Sequence, residues 1–540
     1  MSLKCNLQAF HVLCIGLVSV LLSLSQKVHS ATSVSSFGVT WFFSEDRPVG
    51  QFANGDWWVV GPVTITQITP GDPAPSDAED IHGTMINPSF KTNGTPNWNA
   101  NQGFDSRIRD TNYTASLNVA KRLPITVAAG SSVMSSKSLV PRATGDAAQI
   151  DEISILTVVG SAPPAGTFRP PYIGTHKPLN WNKSQLQYSR LKKLAPVANT
   201  PSFAATEALF ERTLIQLNPI WTSRYIHPLK HDSPNYGREI SHKQGAGALL
   251  LNLNYSDAQK ETLLIRMVQR GIDIYGITNA GGGFFADGGH NHGRKGFMIL
   301  AGWVLNDSQI LSKANAPFAE DGQHFYVTQA DVDRVRPADR EPYTAQMIGL
   351  PEWGFQHAGD PSLDSSKWDA KYRGLVGVSN MGPVLAARIM GVENLWNYPA
   401  IFEYMDRFYA IEKNNVSTST NSIQPFVSSM WIAYRGTGSG ITPPPPVTFA
   451  VNDRISTIRN TNVRATPSLT GNLLGVQVTG SLGTIVAGPI VADNFTWWQI
   501  NYDSGVDGWS GEDNLAKSLI GPPGATAPLP PVGIQVQGDD

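Results

Sequence analysis

The chain has 540 residues, 41 of them basic and 43 acidic, for a formal net charge of -2, and only 16% of its residues are charged. That balance excludes bulk electrostatic attraction to nucleic acid or to an anionic membrane. Its 50 glycines, 38 prolines and 14 tryptophans describe a loop-rich, aromatic-bearing protein, a profile common among exported proteins that handle sugars.

At the N-terminus Lys4 precedes a mostly apolar run from Phe10 to Leu24, followed by small residues in Val28-His29-Ser30-Ala31. This is the layout of a secretory signal over residues 1–30, cleaved near Ser30. The run is shorter than the ~20 residues a membrane span needs, and no later stretch reaches that length. The expectation is a secreted, periplasmic or cell-surface protein without a membrane span. Both cysteines, Cys5 and Cys14, fall inside the signal, so disulfides and thiolate metal sites are excluded from the mature chain.

From 31 to 160, short β-favouring runs are broken by Gly, Pro, Asn and Asp: Gly38 to Phe42, Trp57 to Thr66, Leu123 to Ala128 and Ile153 to Val159. Their spacing predicts a β-sandwich-like domain. Residues 161–200 are proline-rich and without period, an extended connection. From 201 to 440 the period is helical. Phe203 to Leu217 repeats apolar residues three and four apart. Ser256 caps a helix whose part from Lys260 to Tyr275 carries Leu263, Leu264, Met267, Val268 and Ile272 on one face. Arg294 to Leu305, Lys371 to Met390 and Pro399 to Ile411 are further predicted helices. An all-α domain with long loops and hardly a strand fits an α/α toroid. Four consecutive prolines, Pro443 to Pro446, make 441–447 a stiff linker. Residues 448–518 read as a small β-barrel, and the Pro/Gly-rich tail 519–540 as disordered.

Between 461 and 515 the chain contains Thr461-Asn462-Val463-Arg464-Ala465-Thr466-Pro467, a Leu474-Gly475 turn, Gly483-Thr484, Trp497-Trp498-Gln499-Ile500-Asn501-Tyr502 and Gly508-Trp509. In these motifs the segment resembles bacterial SH3-like domains. The resemblance implies a barrel that binds cell-wall glycans or peptides, or serves as a spacer.

Histidine is the strongest functional signal. Seven of the 11 histidines (His227, His231, His242, His290, His292, His324, His357) lie between 227 and 357, where an even scatter would put about three. The densest segment, Asp287-Gly-Gly-His290-Asn291-His292-Gly-Arg294-Lys295, offers an acid, two imidazoles and two cations at the entry to a helix. Companion clusters are Arg238 to Gln244, with His242 and Lys243, ahead of a hydrophobic helix start; Gly349 to His357, a loop with Glu352 and Trp353; and Lys371-Tyr372-Arg373 with Asn380 beyond. Several such clusters in one domain point to a cleft.

Through the 287–295 segment, Leu350-Pro351-Glu352-Trp353-Gly354 and Trp396 to Tyr404, the helical region is similar to secreted α/α-toroid polysaccharide lyases and glycoside hydrolases. The resemblance implies a polysaccharide substrate and assigns no single family. Three chemistries remain open. In a lyase, His290, His292, His242 or Tyr372 removes the proton beside a uronate carboxyl, while Arg373, Arg294 or His357 steadies the developing charge, and Lys243, Asn291, Lys295, Trp353 and Asn380 line the substrate. In a hydrolase, Asp287 and Glu352 form the carboxylate pair. Neither requires a cofactor, although Asp287, His290 and His292 make a candidate set for a divalent metal. Outside catalysis, the same groups would line the groove of a glycan-binding protein. The surplus of imidazoles and cations over acids favours a lyase on an acidic glycan.

If the C-terminal unit only tethers the enzyme near its substrate, removing everything after 442 should leave turnover of short soluble oligosaccharides unchanged. Loss of that turnover in the truncated protein would overturn this division of labour.

Overall fold

The computed structural model describes residues 29–72, 79–91, 99–144, 148–231, 236–286, 288–336, 341–354, 366, 368, 373–435, 449–457, 460–493 and 495–518. The signal-like segment up to 28, the polyproline linker and the tail lie outside the described residues. Among the described residues no helix is long and apolar enough to cross a membrane.

The protein is multidomain, with strand-rich N- and C-terminal regions and a helical middle. The first region contains β1 (His29–Ser36), β2 (Val39–Gln51), β3 (Trp57–Val60), β4 (Val63–Thr69), β5 (Thr84–Ile86), β6 (Asn101–Gln102), β7 (Asn112–Tyr113), β8 (Ile125–Val127), β9 (Ser131–Ser138) and β10 (Ile150–Val159). Eight of them form one sheet in the order β5-β9-β10-β3-β2-β4-β8, with β1 also pairing β2; β6 and β7 pair separately. The expected strands are present, but as a single curled sheet instead of two stacked ones. Alternation reports which face of a strand is buried and is silent on how strands are shared between sheets. On β2, Val39, Trp41 and Phe43 point into a core shared with Val59, Ile65, Leu156 and Val158. β10 is buried on both faces, because Ile153 and Ile155 point the other way, into the core of the helical region.

The stretch 161–200 is more than a connection. Phe168, Tyr172, Trp181 and Leu191 are buried in the helical core. Between them the fully buried Arg169 donates through Nε to Asp56 (2.6 Å) and through Nη1 and Nη2 to Asp273 (2.9 and 2.6 Å). One guanidinium thus ties the loop ahead of β3 to the longest helix.

The helical region comprises α1 (Phe203–Ala208), α2 (Gly237–Leu251), α3 (Asp257–Asn279), α4 (Lys295–Leu305), α5 (Ser308–Leu311), α6 (Ala319–Gly322), α7 (Gln329–Asp333), α8 (Met381–Met390), α9 (Glu393–Trp396), α10 (Pro399–Glu412) and α11 (Pro425–Tyr434). α3 begins where its cap predicts: Ser256 and Gln259 form a reciprocal capping box. Three expectations fail locally. The helix predicted over Phe203 to Leu217 stops at Ala208, where Arg266 of α3 takes the carbonyl of Glu207 (2.8 Å) and Arg270 those of Leu209 (3.1 Å) and Arg212 (2.9 Å), acceptors that a continuing helix would use itself. Arg238 to Gln244 lie within α2 instead of preceding it. Pro351–Trp353 is a strand, β12, paired antiparallel with β11 (His324–Tyr326), so the region is not strand-free. Of the helix predicted over Lys371 to Met390, Met381–Met390 is α8, entered by a 3-10 turn at Gly377–Asn380.

The C-terminal region has β13 (Arg454–Thr457), β14 (Thr461–Arg464), β15 (Leu473–Gln477), β16 (Leu482–Ala492), β17 (Phe495–Tyr502), β18 (Gly508–Gly511) and β19 (Leu515–Lys517), in the order β15-β14-β18-β17-β16-β13-β19. They curl around Phe449, Ile455, Val463, Ile485, Trp498 and Ile500. The motif residues hold this sheet together. Arg464 is buried and donates to Gly471 O (2.8 Å), Trp498 Nε1 donates to Glu512 (2.6 Å), and the Tyr502 and Ser510 hydroxyls share a 2.8 Å bond.

Removing one partner of a buried ion cluster strands the others without compensation. Arg169→Met should therefore destabilise the protein by ~3–5 kcal/mol in chemical denaturation of the full chain. A loss below ~1 kcal/mol would show that Arg169 does not neutralise Asp56 and Asp273.

Candidate functional site

The segment Gly288 to Lys295 is pressed onto the first turns of α2 by glycines. Gly293 has φ +84°, and a Cβ there would stand 2.4 Å from Ser241 N; one on Gly237 would stand 2.1 Å from Gly289 O. Most of the segment's side chains hold its own backbone in place. His290 Nε2 donates to Pro219 O (2.9 Å), and Asn291 Nδ2 donates to Pro219 O (2.7 Å) and Phe285 O (2.9 Å). The Arg294 guanidinium donates to His290 O (2.9 Å), His292 O (2.5 Å) and Gln216 Oε1 (3.1 Å). At the start of α4, Glu320 Oε1 accepts from the backbone N–H groups of Arg294 (2.7 Å) and Lys295 (2.9 Å), placing a carboxylate on a helix N-terminus. Lys295 Nζ reaches Asp321 Oδ2 (2.5 Å) and Trp396 O (2.6 Å).

His292 differs from its neighbours. It is fully buried, and its Nδ1 lies 3.2–3.3 Å from the amide of Asn380, which also accepts from Ser241 Oγ (3.2 Å). Its ring stacks on Trp353, with centroids 5.2 Å apart at 26°. His324 packs edge-on against the same indole at 5.0 Å and also touches Tyr404 at 5.1 Å. His324 Nδ1 donates to Glu320 O (2.6 Å), so in the neutral ring Nε2 is the bare, basic nitrogen. Neither His292 Nε2 nor His324 Nε2 has a hydrogen-bond partner. Burial lowers the His324 pKa to about 3. Burial, with His324 nearby, holds His292 well below the ordinary imidazole range. Both rings are neutral bases at physiological pH.

Glu352 and Arg373 sit on the far side of Trp353. Glu352 Oε1 accepts from Arg373 Nη2 (2.7 Å) and from Trp353 N (2.8 Å), and Oε2 from Arg407 Nη1 (3.1 Å). Both guanidinium groups lie over the Trp368 ring, at 4.9 and 5.3 Å. Tyr404 is fully buried, and burial keeps its hydroxyl protonated.

The four polar clusters of the sequence therefore converge. His292 meets Asn380 and Trp353, Ser241 of α2 meets Asn380, and Glu352 meets Arg373. His242 and Lys243 lie on α2, one turn from the centre and partly exposed. His242 Nε2 donates to Thr420 O (2.9 Å), and burial lowers the pKa of its ring despite that bond. Asp287, His357 and Tyr372 lie outside the described residues. Among the described residues, no group of three or more His, Cys, Asp or Glu converges in a way that could hold a metal ion.

Glu320, Asp321, His324 and Tyr404 belong to the site although the clusters did not single them out. In the sequence His324 stands out only as one of the clustered histidines and Tyr404 only as the end of the Trp396 to Tyr404 segment, and nothing marks Glu320 or Asp321. No protein-family model, curated protein or solved structure matches the chain, so function has to be argued from these groups themselves.

Gly293→Ala adds a side chain at positive φ against the backbone of α2. It should cost ~2 kcal/mol in denaturant unfolding and disturb the near-ultraviolet signal of Trp353. Wild-type stability in that variant would show that the loop is not held by this contact.

Proposed function

We propose that the chain is an exported polysaccharide-degrading enzyme, a lyase cleaving a uronate-containing glycan by β-elimination. The observation that carries this reading is the pair of neutral imidazoles, His292 and His324, flanking Trp353 with an unpartnered Nε2 each. An elimination needs a base that is uncharged near neutral pH. It also needs dipoles or cations for the negative charge that builds on the uronate as its ring proton leaves.

On this reading His292 takes the C5 proton. The C5–H electron pair forms the C4=C5 double bond, the C4–O bond breaks, and the departing oxygen is protonated. The Asn380 amide, beside His292 Nδ1, faces the charge on the carboxyl, and Tyr404 is the protonated hydroxyl available to the leaving oxygen. The Trp353 ring braces His292 and His324. His290, Asn291 and Arg294 act by holding the loop, which supports a positioning role for them instead of the direct one expected. The helical region would follow an α/α-toroid plan. The C-terminal sheet, as an SH3-like module, would bind a cell-wall or other glycan and keep the enzyme near it.

The hydrolase reading finds less support. Glu352 would have to leave Arg373 and Arg407 before serving as an acid or nucleophile. A glycan-binding protein without turnover is the other alternative, since unpartnered imidazoles could also bind sugar hydroxyls.

Anionic and neutral polysaccharides incubated with the full chain separate the three readings. A lyase raises the ultraviolet absorbance of an unsaturated uronate, a hydrolase releases reducing ends without it, and a binding protein does neither. His292→Ala should lower the absorbance rate by ~100-fold or more while glycan binding persists. Unchanged turnover in His292→Ala would remove His292 from the chemistry.

A further inference from the structure

We propose that Lys295 and Asp321 become joined in the folded protein by an intramolecular isopeptide bond, with Glu320 carrying the proton. The inference is independent of the catalytic reading.

The geometry places a nucleophile and an electrophile together in a dry enclosure, with a buried carboxyl on the residue before the electrophile. Lys295 Nζ lies 2.5 Å from Asp321 Oδ2, and the two side chains are 1% and 14% exposed. The rings of Phe318 and Trp396 stand 5.7 and 5.5 Å from the nitrogen and keep water away. Trp396 Nε1 donates to the other carboxyl oxygen, Asp321 Oδ1 (2.9 Å), and Trp396 O accepts from Nζ (2.6 Å). The electrophile and its attacker are thus both oriented by one residue. Glu320 precedes Asp321, is fully buried, and is fixed through Oε1 by two backbone N–H groups, while its Oε2 has no hydrogen-bond partner. Its charge acts on both Lys295 and Asp321.

Desolvation shifts each of these groups toward its uncharged form. It lowers the Lys295 pKa, raises that of Asp321 to about 6 and raises that of Glu320. A proton passed from the ammonium to the carboxylate leaves a neutral amine against a carboxylic acid, and a desolvated lysine amine is a nucleophile. The Nζ lone pair attacks Asp321 Cγ and forms the N–C bond. Trp396 Nε1–H steadies the negative charge arising on Oδ1. Glu320 takes a proton from the nitrogen and delivers it to the hydroxyl, the C–O bond breaks, and one water leaves. No oxidant or co-reactant is required. The amide replaces a buried ion pair with a neutral group, removing a desolvation penalty, and fastens the first residue of α4 to α6 behind the His292 loop.

Tandem mass spectrometry of the digested full-length protein tests this. The expected result is that Lys295 appears only in a branched peptide joined to the peptide containing Asp321, lighter than their sum by one water. Lys295→Arg and Asp321→Ala should abolish the branch, and Glu320→Gln should leave both peptides linear over the time in which the wild type converts. Recovery of Lys295 in an ordinary linear peptide from folded, aged wild-type protein overturns the proposal whatever the variants do. An equally fast branch in Glu320→Gln overturns the role given to Glu320.

Discussion

Desolvation of charge governs this protein. Its helical core and that core's border with the first sheet bury Arg169, Asp273, Arg294, Lys295, Glu320, Glu352 and Arg373. An ion taken out of water without compensation costs several kcal/mol, so each must meet a partner. The partners are remote in sequence: Arg169 with Asp56 and Asp273, Glu320 with the start of α4, Glu352 with Arg373 and Arg407. Each pairing brings a loop to a fixed place. The path of the chain through 161–200 and 287–295 is therefore dictated by where a guanidinium or carboxylate can be satisfied, as much as by apolar contact.

The same constraint acts on the histidines. An imidazole in a dry site stays unprotonated, and His292 and His324 are held in that form by the burial that forces the arginines to pair. Stability and reactivity diverge at their second nitrogens. A buried polar atom without a partner costs ~1–3 kcal/mol, and His292 Nε2, His324 Nε2 and Glu320 Oε2 each lack one. These three atoms lie within one small cluster, and unpaired buried atoms in a native core call for an explanation. The surrounding loop is correspondingly rigid, braced by Arg294, Asn291 and two glycines.

The C-terminal sheet obeys different physics. It buries a small apolar core of its own, and its buried arginine, Arg464, is satisfied by a backbone carbonyl within the same unit. The residues that make its sequence recognisable are spent on strand pairing and turns: Gly508, at φ +157°, sits where a Cβ would strike Arg464 O at 2.6 Å. Motifs that specify a fold in this way carry little information on a ligand. The division between a scaffold-like end and a chemically loaded middle is thus a division between residues consumed by folding and residues left over.

How much of this was legible in the sequence follows from the same distinction. Period and caps reveal local structure, so the Ser256 cap, α3, α4, α10 and, in the first sheet, parts of β2, β8 and β10 were readable, whereas β1, β5 and β9 were not. They fail where side chains from a distant helix take up the backbone, as Arg266 and Arg270 do between Glu207 and Arg212, and where three residues become a strand only by pairing with a distant segment, as Pro351–Trp353 does with His324–Tyr326. Composition also marked polar clusters around 241, 292, 352 and 380 that do meet in the fold. It could not say which histidine does what. His290 and His292 are two residues apart in identical surroundings of sequence, yet one is spent on Pro219 O while the other faces Trp353 with a nitrogen to spare. That difference lies in tertiary contacts, and the start of α4 beside it is itself fixed by Glu320 from 26 positions away in the chain. Such a relation has no local signature, because a carboxylate capping a distant helix looks in sequence like any other acid.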